Sequence, residues 1–311
     1  MLHKHQNRLI DLLKFHDLEG IKGLAIPTER LQNHSLSWRS ALMLSTHNLK
    51  HLLKIPTINA ECIMLNLEDG VSAEQKPYAL VLCALALSSN TQCDKKLIVR
   101  VNPLDEGGCE EIAYLNPFKP DGIRIPKIRT VADVERALEL IDENIEVHLS
   151  IETKEAWLGL SSLAIHPRIK AYYLGILDLF ADLGLSHSLL LPDNPALQYI
   201  LSHFLITSRA CGVKAVSFVY QDYKNSEGLR HWLELEKMIG FDAKGCISPD
   251  QVELIHDIFG HTISEIERCY EIIRLFEEHA ALGMSGFSDE RFGFIDEPIY
   301  KGALAVVKTL V

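Results

Sequence analysis

Two carboxylates stand at the points where apolar runs of this chain end. Glu152 follows the run 147–151 in the segment "LSIET", and Asp178 closes the run in "LGILDL". If the two runs are neighbouring parallel strands, both side chains face one pocket, where bare like charges would repel each other. Magnesium removes this repulsion, because it is a hard cation that prefers oxygen ligands and keeps several waters. The alternative is that each acid simply begins a helix. For either carboxylate alone, metal binding and helix initiation have equal weight. The two carboxylates together, in register, favour the metal.

Further polar side chains stand inside or directly after other apolar runs. Arg100 interrupts the run of "IVRVN", where a permanent charge is costly unless a partner or a ligand meets it. Its planar fork matches a carboxylate or a developing enolate oxygen. The alternative, of equal weight, is a buried ion pair with Glu68 or Asp69 of "LNLED". Lys127 of "RIPK" ends another run in the same way.

Eight short apolar runs, which alternate with amphipathic segments, must position these side chains. Several runs are almost continuously apolar, as expected for parallel strands that are covered on both faces. Eight β/α alternations fit a (β/α)8 TIM barrel, an α/β fold, better than an open sheet. In such a barrel the active site lies at the carboxyl ends of the strands, where the polar side chains stand. The predicted strands are residues 41–44, 62–67, 97–102, 122–128, 147–151, 171–177, 214–220 and 244–247.

Two regions flank the predicted barrel, which we place at residues 39–260 as the catalytic domain. Residues 1–38 hold a short amphipathic helix around Leu9, Leu12 and Leu13 and then a glycine-containing loop, and we predict an N-terminal docking extension. Residues 261–311 hold a helix with one apolar face, the glycine-bearing stretch "LGMSGFSDERFGFIDEP" and a last helix. We predict that this segment is a hinged C-terminal helical lid.

Composition narrows the classes of partner and compartment. The chain carries 42 acidic against 31 basic residues and a formal net charge of −11, so a nucleic-acid partner is not expected. The longest strongly apolar run, residues 79–87, is far shorter than the roughly 20 residues that cross a bilayer, so no membrane span is expected. The N-terminus lacks the pattern of an export signal. Seven scattered cysteines without a C-x-x-C pair predict neither disulfides nor a zinc site, and we expect a reduced, cytoplasmic compartment.

Seven motifs, in consistent order from about residue 38 to the C-terminus, resemble the HpcH/HpaI aldolase and citrate lyase β-subunit family, which includes malyl-CoA lyase-type enzymes. "WRSALML" resembles the family's RS-x-L, "NLEDGV" its LEDAV, "VRVN" its arginine motif and "IPKI" its PK. "SIET" resembles the IET motif, "LGILDLFADLG" the G-x-x-DL motif, and "GFDAKGCISPDQ" the GFDGK-IHP-Q motif.

The resemblance implies a TIM barrel, magnesium, and cleavage or formation of a carbon–carbon bond beside a carbonyl. It implies that Glu152 and Asp178 are the metal carboxylates and that Arg100 contacts the substrate. An aspartate of the C-terminal segment, which reaches a neighbouring subunit's site in malyl-CoA lyase-like members, matches Asp296 in "FIDEP". Such members are homo-oligomers, typically trimers or larger assemblies such as hexamers.

The chain departs from the family at positions that face the thioester. Ser45 stands where the family has proline, and Ser248 replaces the histidine of IHP near the substrate or CoA. In "SPDQ", Ser248 also fits a helix N-cap that Pro249 and Gln251 complete. The reaction type therefore has more support than the use of CoA.

We hypothesise a magnesium-dependent lyase acting on a 2-oxo acid or on a hydroxyacyl-CoA such as citryl-CoA or malyl-CoA. Magnesium held by Glu152 and Asp178 would chelate an oxo acid, Arg100 would stabilise the enolate and Asp296 would protonate it. The residues assigned to orient ligands and water are Glu68, Asp69 and Lys127, and Ser248 is a candidate substrate contact. Two alternatives stay open: a CoA-independent lyase or aldolase for free hydroxy-oxo acids, and a non-catalytic metal-binding barrel subunit.

Overall fold

The computed structural model describes Leu2, residues 5–35 and residues 37–308. The chain divides into two compact units, residues 1–259 and residues 260–311. The first unit contains the barrel together with the residues that precede it, and the second contains the C-terminal segment.

Within the described residues, eight parallel strands follow one another around a closed sheet. Each strand pairs with the next from β1 to β7, and β1 also pairs with β8. A parallel bridge between Ser217 and Lys244 closes the remaining gap between β7 and β8. The predicted TIM barrel is therefore confirmed, and each of the eight predicted runs overlaps one observed strand. The strands are β1 (Ser40–Ser45), β2 (Cys62–Asn66), β3 (Lys96–Arg100), β4 (Gly122–Ile125), β5 (Glu146–Ile151), β6 (Ile169–Leu174), β7 (Lys214–Val216) and β8 (Lys244–Cys246).

Continuous apolarity along the strands conceals an alternation between two cores. In β2, Cys62 and Met64 pack inside the barrel, whereas Ile63 and Leu65 pack outward in the larger core. Both sets are buried because helices cover the outer face while side chains fill the inner one. Polar side chains on the inner face of the strands therefore lie inside the barrel, and those near the carboxyl ends are placed to build a site.

Helices follow most of the strands and form the outer layer. The helix α6 begins with the predicted capping box. The side chain of Thr130 accepts a hydrogen bond from the backbone N–H of Asp133, and the side chain of Asp133 accepts one from the backbone N–H of Thr130. The helices are α1 (Gln6–Lys14), α2 (Leu18–Lys22), α3 (Leu49–Leu53), α4 (Lys76–Ser89), α5 (Gly108–Leu115), α6 (Val131–Leu140), α7 (Lys154–Leu158), α8 (Ile176–Asp182), α9 (Pro195–Ala210), α10 (Ser226–Ile239), α11 (Pro249–Phe259), α12 (Ile263–Ala281) and α13 (Glu297–Lys308). None of the described helices combines the length and the apolarity that crossing a bilayer requires.

The chain that precedes β1 packs against the amino ends of the strands. Arg30 donates from both terminal nitrogens to Asp121, directly before β4, at 2.8 and 2.6 Å, and both side chains are buried. Lys96, the first residue of β3, donates to the carbonyl oxygens of Asn33 and Ser35 and pairs with Glu146 at 2.9 Å. The predicted extension is thus anchored at the end of the barrel opposite the carboxyl ends of the strands.

The second unit has a small core of its own. An antiparallel hairpin, β9 (Gly286–Asp289) and β10 (Gly293–Asp296), joins α12 to α13. The buried apolar residues of this core come from both helices and the hairpin, and they are Ile272, Leu275, Ile295 and Ala303. The stretch predicted to be a hinged lid therefore contains regular β-structure.

Candidate functional site

A cavity of about 350 Å3 opens at the carboxyl ends of the strands, and residues from all eight strands or from the residues that follow them line it. Four of the residues singled out in the sequence are in its wall: Asp69, Arg100, Glu152 and Asp178. The remaining wall is mainly apolar, with Met43, Met64, Tyr173, Leu174, Ile176, Leu177, Phe218, Val219 and Ile247 among its residues. A concave apolar site with a few converging polar groups is typical of small-molecule binding.

Glu152 is buried directly after β5, with 4% of its surface exposed. Its Oε1 accepts a hydrogen bond from the backbone N–H of Lys127 at 2.7 Å. The N-cap of the following helix α7 is the next residue, Thr153, whose hydroxyl oxygen accepts from the N–H of Ala156. Starting the helix therefore does not account for Glu152, and its carboxylate belongs to the cavity wall.

Asp178 lies in the first turn of α8, half exposed beside Glu152. The ammonium of Lys127 stands with these two carboxylates, 2.7 Å from Oδ1 of Asp178 and 3.9 Å from Oε1 of Glu152. Burial of the ammonium opposes its charge, but Glu152 and Asp178 outweigh burial and raise the pKa of Lys127. Lys127 has a backbone φ of +54°, a left-handed conformation that is uncommon outside glycine and clusters at functional sites.

The carboxylate pair fits a magnesium ion. A cation, the Lys127 ammonium, already stands between Glu152 and Asp178, and both groups offer the hard oxygen ligands that magnesium prefers. Within the described residues no group of three or more His, Cys, Asp and Glu side chains is arranged as a complete metal cage. Two protein ligands suffice for magnesium when waters or substrate oxygens complete the shell.

Arg100 is held by a cluster of polar groups at the end of β2. Its Nε donates to Oδ1 of Asn66 at 2.7 Å, and Nη1 lies 2.8 Å from Glu68 and 3.4 Å from Asp69. The ion pair considered from the sequence is therefore present. Asn66 had not been singled out, although it is a polar residue at the end of an apolar run; it also accepts from the N–H of Glu68 and donates to the carbonyl of Asp69.

Glu68 is buried among charged groups that shift its pKa in opposite directions. Burial raises its pKa to about 7, and the neighbouring Glu152 and Asp69 add to this, while Arg100 opposes it. Despite its short distance to Arg100, Oε2 of Glu68 has no hydrogen-bond donor among the described residues. A buried carboxylate oxygen without a donor is suited to accept from a water or a substrate hydroxyl.

Arg124 of β4 is a second arginine in the cavity wall that sequence reasoning passed over. Its residue surface is 6% exposed, its Nε donates to Oγ of Ser150 at 2.8 Å, and its guanidinium lies 4.4 Å from the ring centre of Tyr173. Burial, reinforced by Arg100, lowers the pKa of Arg124 to about 10, so the side chain stays charged at neutral pH. The signal that identified Arg100, a charge inside an apolar run, is also present in "GIRI".

Two further predicted residues have local structural partners. Ser248 is not part of the cavity wall, although Ile247 is, and its hydroxyl accepts from the N–H of Asp250 at the start of α11. Asp296 ends β10 in the second unit, and its Oδ1 accepts from the N–H of Ile299 at the start of α13.

Comparison with known proteins relates the chain to one family. A model of the HpcH/HpaI aldolase/citrate lyase family matches residues 39–249. The (3S)-malyl-CoA thioesterase of Cereibacter sphaeroides is 33% identical over 242 residues, which cover 78% of this chain and 84% of that protein. The citrate lyase subunit beta of Haemophilus influenzae is 29% identical over 282 residues, covering 87% of this chain and 96% of that subunit.

A solved structure shares the fold. The protein CitE of Mycobacterium tuberculosis, crystallised with magnesium, acetoacetate and coenzyme A, matches with a TM-score of 0.71 at 22% identity. The match covers 88% of this chain and 98% of that chain.

Proposed function

Because this chain belongs to the HpcH/HpaI aldolase/citrate lyase family, we propose that it is a magnesium-dependent carbon–carbon lyase. Its substrate would be a 2-oxo acid or a hydroxyacyl-CoA such as citryl-CoA or malyl-CoA. The observation that carries the proposal is the pair Glu152 and Asp178, which meets a cationic group at the carboxyl ends of the barrel strands.

Glu152 and Asp178 would hold the magnesium ion, in place of the ammonium of Lys127. When bound there, magnesium supplies Lewis-acid stabilisation of negative charge on substrate oxygens. Lys127, released from Asp178, would remain near enough to orient water or substrate. Its strained backbone keeps its N–H on Glu152, so that carboxylate stays in position when the ammonium moves.

Arg100 would stabilise the enolate oxygen that develops when the carbon–carbon bond breaks. The contacts with Asn66, Glu68 and Asp69 hold its guanidinium in one place, as electrostatic stabilisation of a transition state requires. As the carbon–carbon bond breaks, the β-hydroxyl of the substrate would lose its proton to water and become the carbonyl of the oxo acid. Asp296 would then donate a proton from its carboxyl group to the enolate carbon of the departing fragment and would regain a proton from water. The assembly that brings Asp296 to the site would be a homo-oligomer, a trimer or a hexamer.

The relatives support this class of chemistry without agreeing on one reaction. One of the two relatives described above is named a malyl-CoA thioesterase, and the other is named a subunit of citrate lyase. An assay must therefore separate cleavage of a carbon–carbon bond, which releases an oxo acid, from hydrolysis of a thioester, which releases free CoA and an intact hydroxy acid.

A lyase for free hydroxy-oxo acids is the second candidate, and the charge beside the cavity favours it. A groove of about 590 Å3 next to the cavity is lined by Glu68, Asp69, Asp105, Glu106 and Asp133, against three basic side chains, Lys76, Lys127 and Arg129. This excess of negative charge opposes the phosphates of a CoA molecule along this path.

The deciding experiment compares Glu152→Gln with a matched control, Glu155→Gln, on the exposed face of α7. The Glu152 variant keeps the shape of the side chain and removes its charge, so we expect loss of magnesium binding in calorimetry and loss of turnover. The Glu155 variant should match the wild type. Unchanged magnesium affinity and turnover in Glu152→Gln would overturn the proposal.

Substrate classes separate the candidates. Release of an oxo acid from a hydroxyacyl-CoA supports the acyl-CoA lyase, and cleavage of free hydroxy-oxo acids alone supports the second candidate. Magnesium binding without turnover on any of these compounds would identify a non-catalytic barrel.

A further inference from the structure

Two neighbouring arginines in the cavity wall differ in one respect, which is how their charge is compensated. Arg100 and Arg124 are paired residues of the adjacent strands β3 and β4. Both line the cavity. Arg100 has Glu68 and Asp69 at ion-pair distance, whereas no carboxylate within the described part of the chain lies within 4.0 Å of the Arg124 guanidinium.

The surroundings of Arg124 fix its position without neutralising it. Nε donates to the hydroxyl of Ser150, Nη1 lies 3.5 Å from the sulfur of Met64, and the guanidinium lies over the ring of Tyr173. The hydrogen-bond contacts of Arg124 with described residues are made by Nε and Nη1. These neighbours are neutral, so they orient a planar cation and leave its charge available.

A charged side chain in this position is unfavourable for the empty protein. Burying an ion without an opposite charge costs free energy, and an apolar side chain of similar size would be tolerated better. Glu68 and Glu152 favour the charged form of Arg124 from a distance, but they are engaged with Arg100 and Lys127. An anionic group arriving in the cavity would supply the missing counter-charge.

We propose that Arg124 is a second anion-binding residue of this cavity, and that it selects oxo acids with two carboxylates over oxo acids with one. The inference rests on the proposed function, in which the 2-oxo carboxylate end of the substrate is bound at Glu152 and Asp178 through magnesium. Arg124 binds the other carboxylate through a charge-assisted hydrogen bond. Arg100 remains at the reacting oxygen.

Calorimetry of the magnesium-loaded protein with oxaloacetate and with pyruvate tests this selection, because the two acids share a 2-oxo carboxylate and only oxaloacetate has a second one. In Arg124→Met, oxaloacetate should bind roughly tenfold to a hundredfold more weakly, the usual loss for a hydrogen bond between charged groups. Pyruvate should bind as it does to the wild type. Arg124→Lys, which keeps the charge without the fork, should retain part of the preference.

Stability separates this role from a structural one. Because the methionine variant removes an uncompensated buried charge, its urea midpoint should be equal to or higher than that of the wild type. The exposed Arg230→Met on α10 is the control for loss of one positive charge, and it should change neither binding nor selectivity.

Each outcome is informative. An Arg124→Met protein that is less stable, or unfolded, contradicts the expected stability, and selectivity is then measured on Arg124→Lys. Equal weakening of both acids, or unchanged selectivity, overturns the role of Arg124 and leaves the lyase proposal standing. If the wild type binds neither acid in the presence of magnesium, the proposed function fails and the selection by Arg124 fails with it.

Discussion

Gly175 lies so close to the side chain of Glu152 that no residue with a Cβ atom fits at position 175. A Cβ atom at Gly175 would lie 2.5 Å from Oε2 and 2.6 Å from Cβ of Glu152. The glycine directly after β6 therefore makes room for the carboxylate directly after β5, and two neighbouring strands together determine where one proposed metal ligand lies.

Gly175→Ala should displace the Glu152 carboxylate. We expect magnesium affinity to fall by at least about tenfold, since metal ligands tolerate little displacement, and stability to fall by about 1–3 kcal/mol from overpacking. Calorimetry with magnesium and urea unfolding measure the two effects. Gly302→Ala in α13 is the control, because nothing lies within 4 Å of the added Cβ; it should bind magnesium normally and gain about 0.5–1 kcal/mol. Normal magnesium affinity in Gly175→Ala would contradict the assigned position of Glu152.

Lys127→Met should bind magnesium more tightly than the wild type. The ammonium occupies the carboxylates of Asp178 and Glu152 in the absence of metal, so a metal ion must displace it. A titration of each protein with magnesium measures this competition. High salt should weaken the competition by the ammonium in the wild type, because it screens the attraction between the ammonium and the carboxylates. Lys154→Met, on the exposed surface of α7, is the charge control. Equal affinities of Lys127→Met and the wild type would show that the ammonium does not compete.

Glu68 should make the protein less stable as the pH rises toward neutrality. Its folded-state pKa of about 7 lies above the ordinary value of 4.5, so the folded state binds the proton more tightly than the unfolded state does. The resulting stabilisation is present at acidic pH and is lost as the pH passes through about 7, a change of about 2–3 kcal/mol between pH 5 and pH 8. Glu68→Gln should lack this change, and the exposed Glu74→Gln should retain it. Urea unfolding at both pH values gives the comparison, and parallel pH profiles of wild type and Glu68→Gln would contradict the assignment.

Asp296 and Glu152 should complement each other between subunits. If Asp296 acts in a neighbouring subunit's site, neither Glu152→Gln nor Asp296→Asn is active alone. When the two variants are co-expressed in equal amounts, each shared site needs an intact Glu152 from one subunit and an intact Asp296 from its neighbour. Each residue is intact in half of the subunits, so roughly a quarter of the sites in mixed oligomers should be active. Activity per subunit measures this recovery. If the two inactive proteins show no recovery together, Asp296 acts in its own subunit's site. An active Asp296→Asn protein would place the residue outside the reaction.

Asp121→Asn should destabilise the barrel without affecting magnesium. The change leaves the buried Arg30 without its charged partner, which costs about 3–5 kcal/mol. Asp105→Asn, in an exposed pair with Arg136, should cost less than about 1 kcal/mol. Urea unfolding ranks the variants. A change in the magnesium affinity of Asp121→Asn would contradict the separation of the two ends of the barrel.

The sequence predicted the strands well because parallel strands buried on both faces are continuous apolar runs. The same runs identified Glu152 and Arg100, since a charge at the end of such a run, or within it, stands out. Arg124 carries an equivalent signal inside "GIRI", in the same predicted run as Lys127.

Contacts between strands were beyond the reach of the sequence. The contact of Lys127 with Asp178 joins the loop after β4 to the helix after β6, across β5, and it depends on the tilt and stagger of the closed sheet. The uncompensated charge of Arg124 depends likewise on which neighbours reach it. Such relations follow from register and rotamers, which periodicity does not encode.

The pairing of β1 with β8 has a consequence for how the chain folds. Residues 40–42 must meet residues 244–246, so the final seam joins parts of the chain separated by most of its length. Contacts of such sequence separation form slowly, because the closure of a long loop precedes any gain from them. During synthesis, β1 through β7 would leave the ribosome as an open sheet with unpaired edges, and the barrel would close only once β8 has emerged. The interval before closure is the period in which nascent chains are most exposed to association with one another.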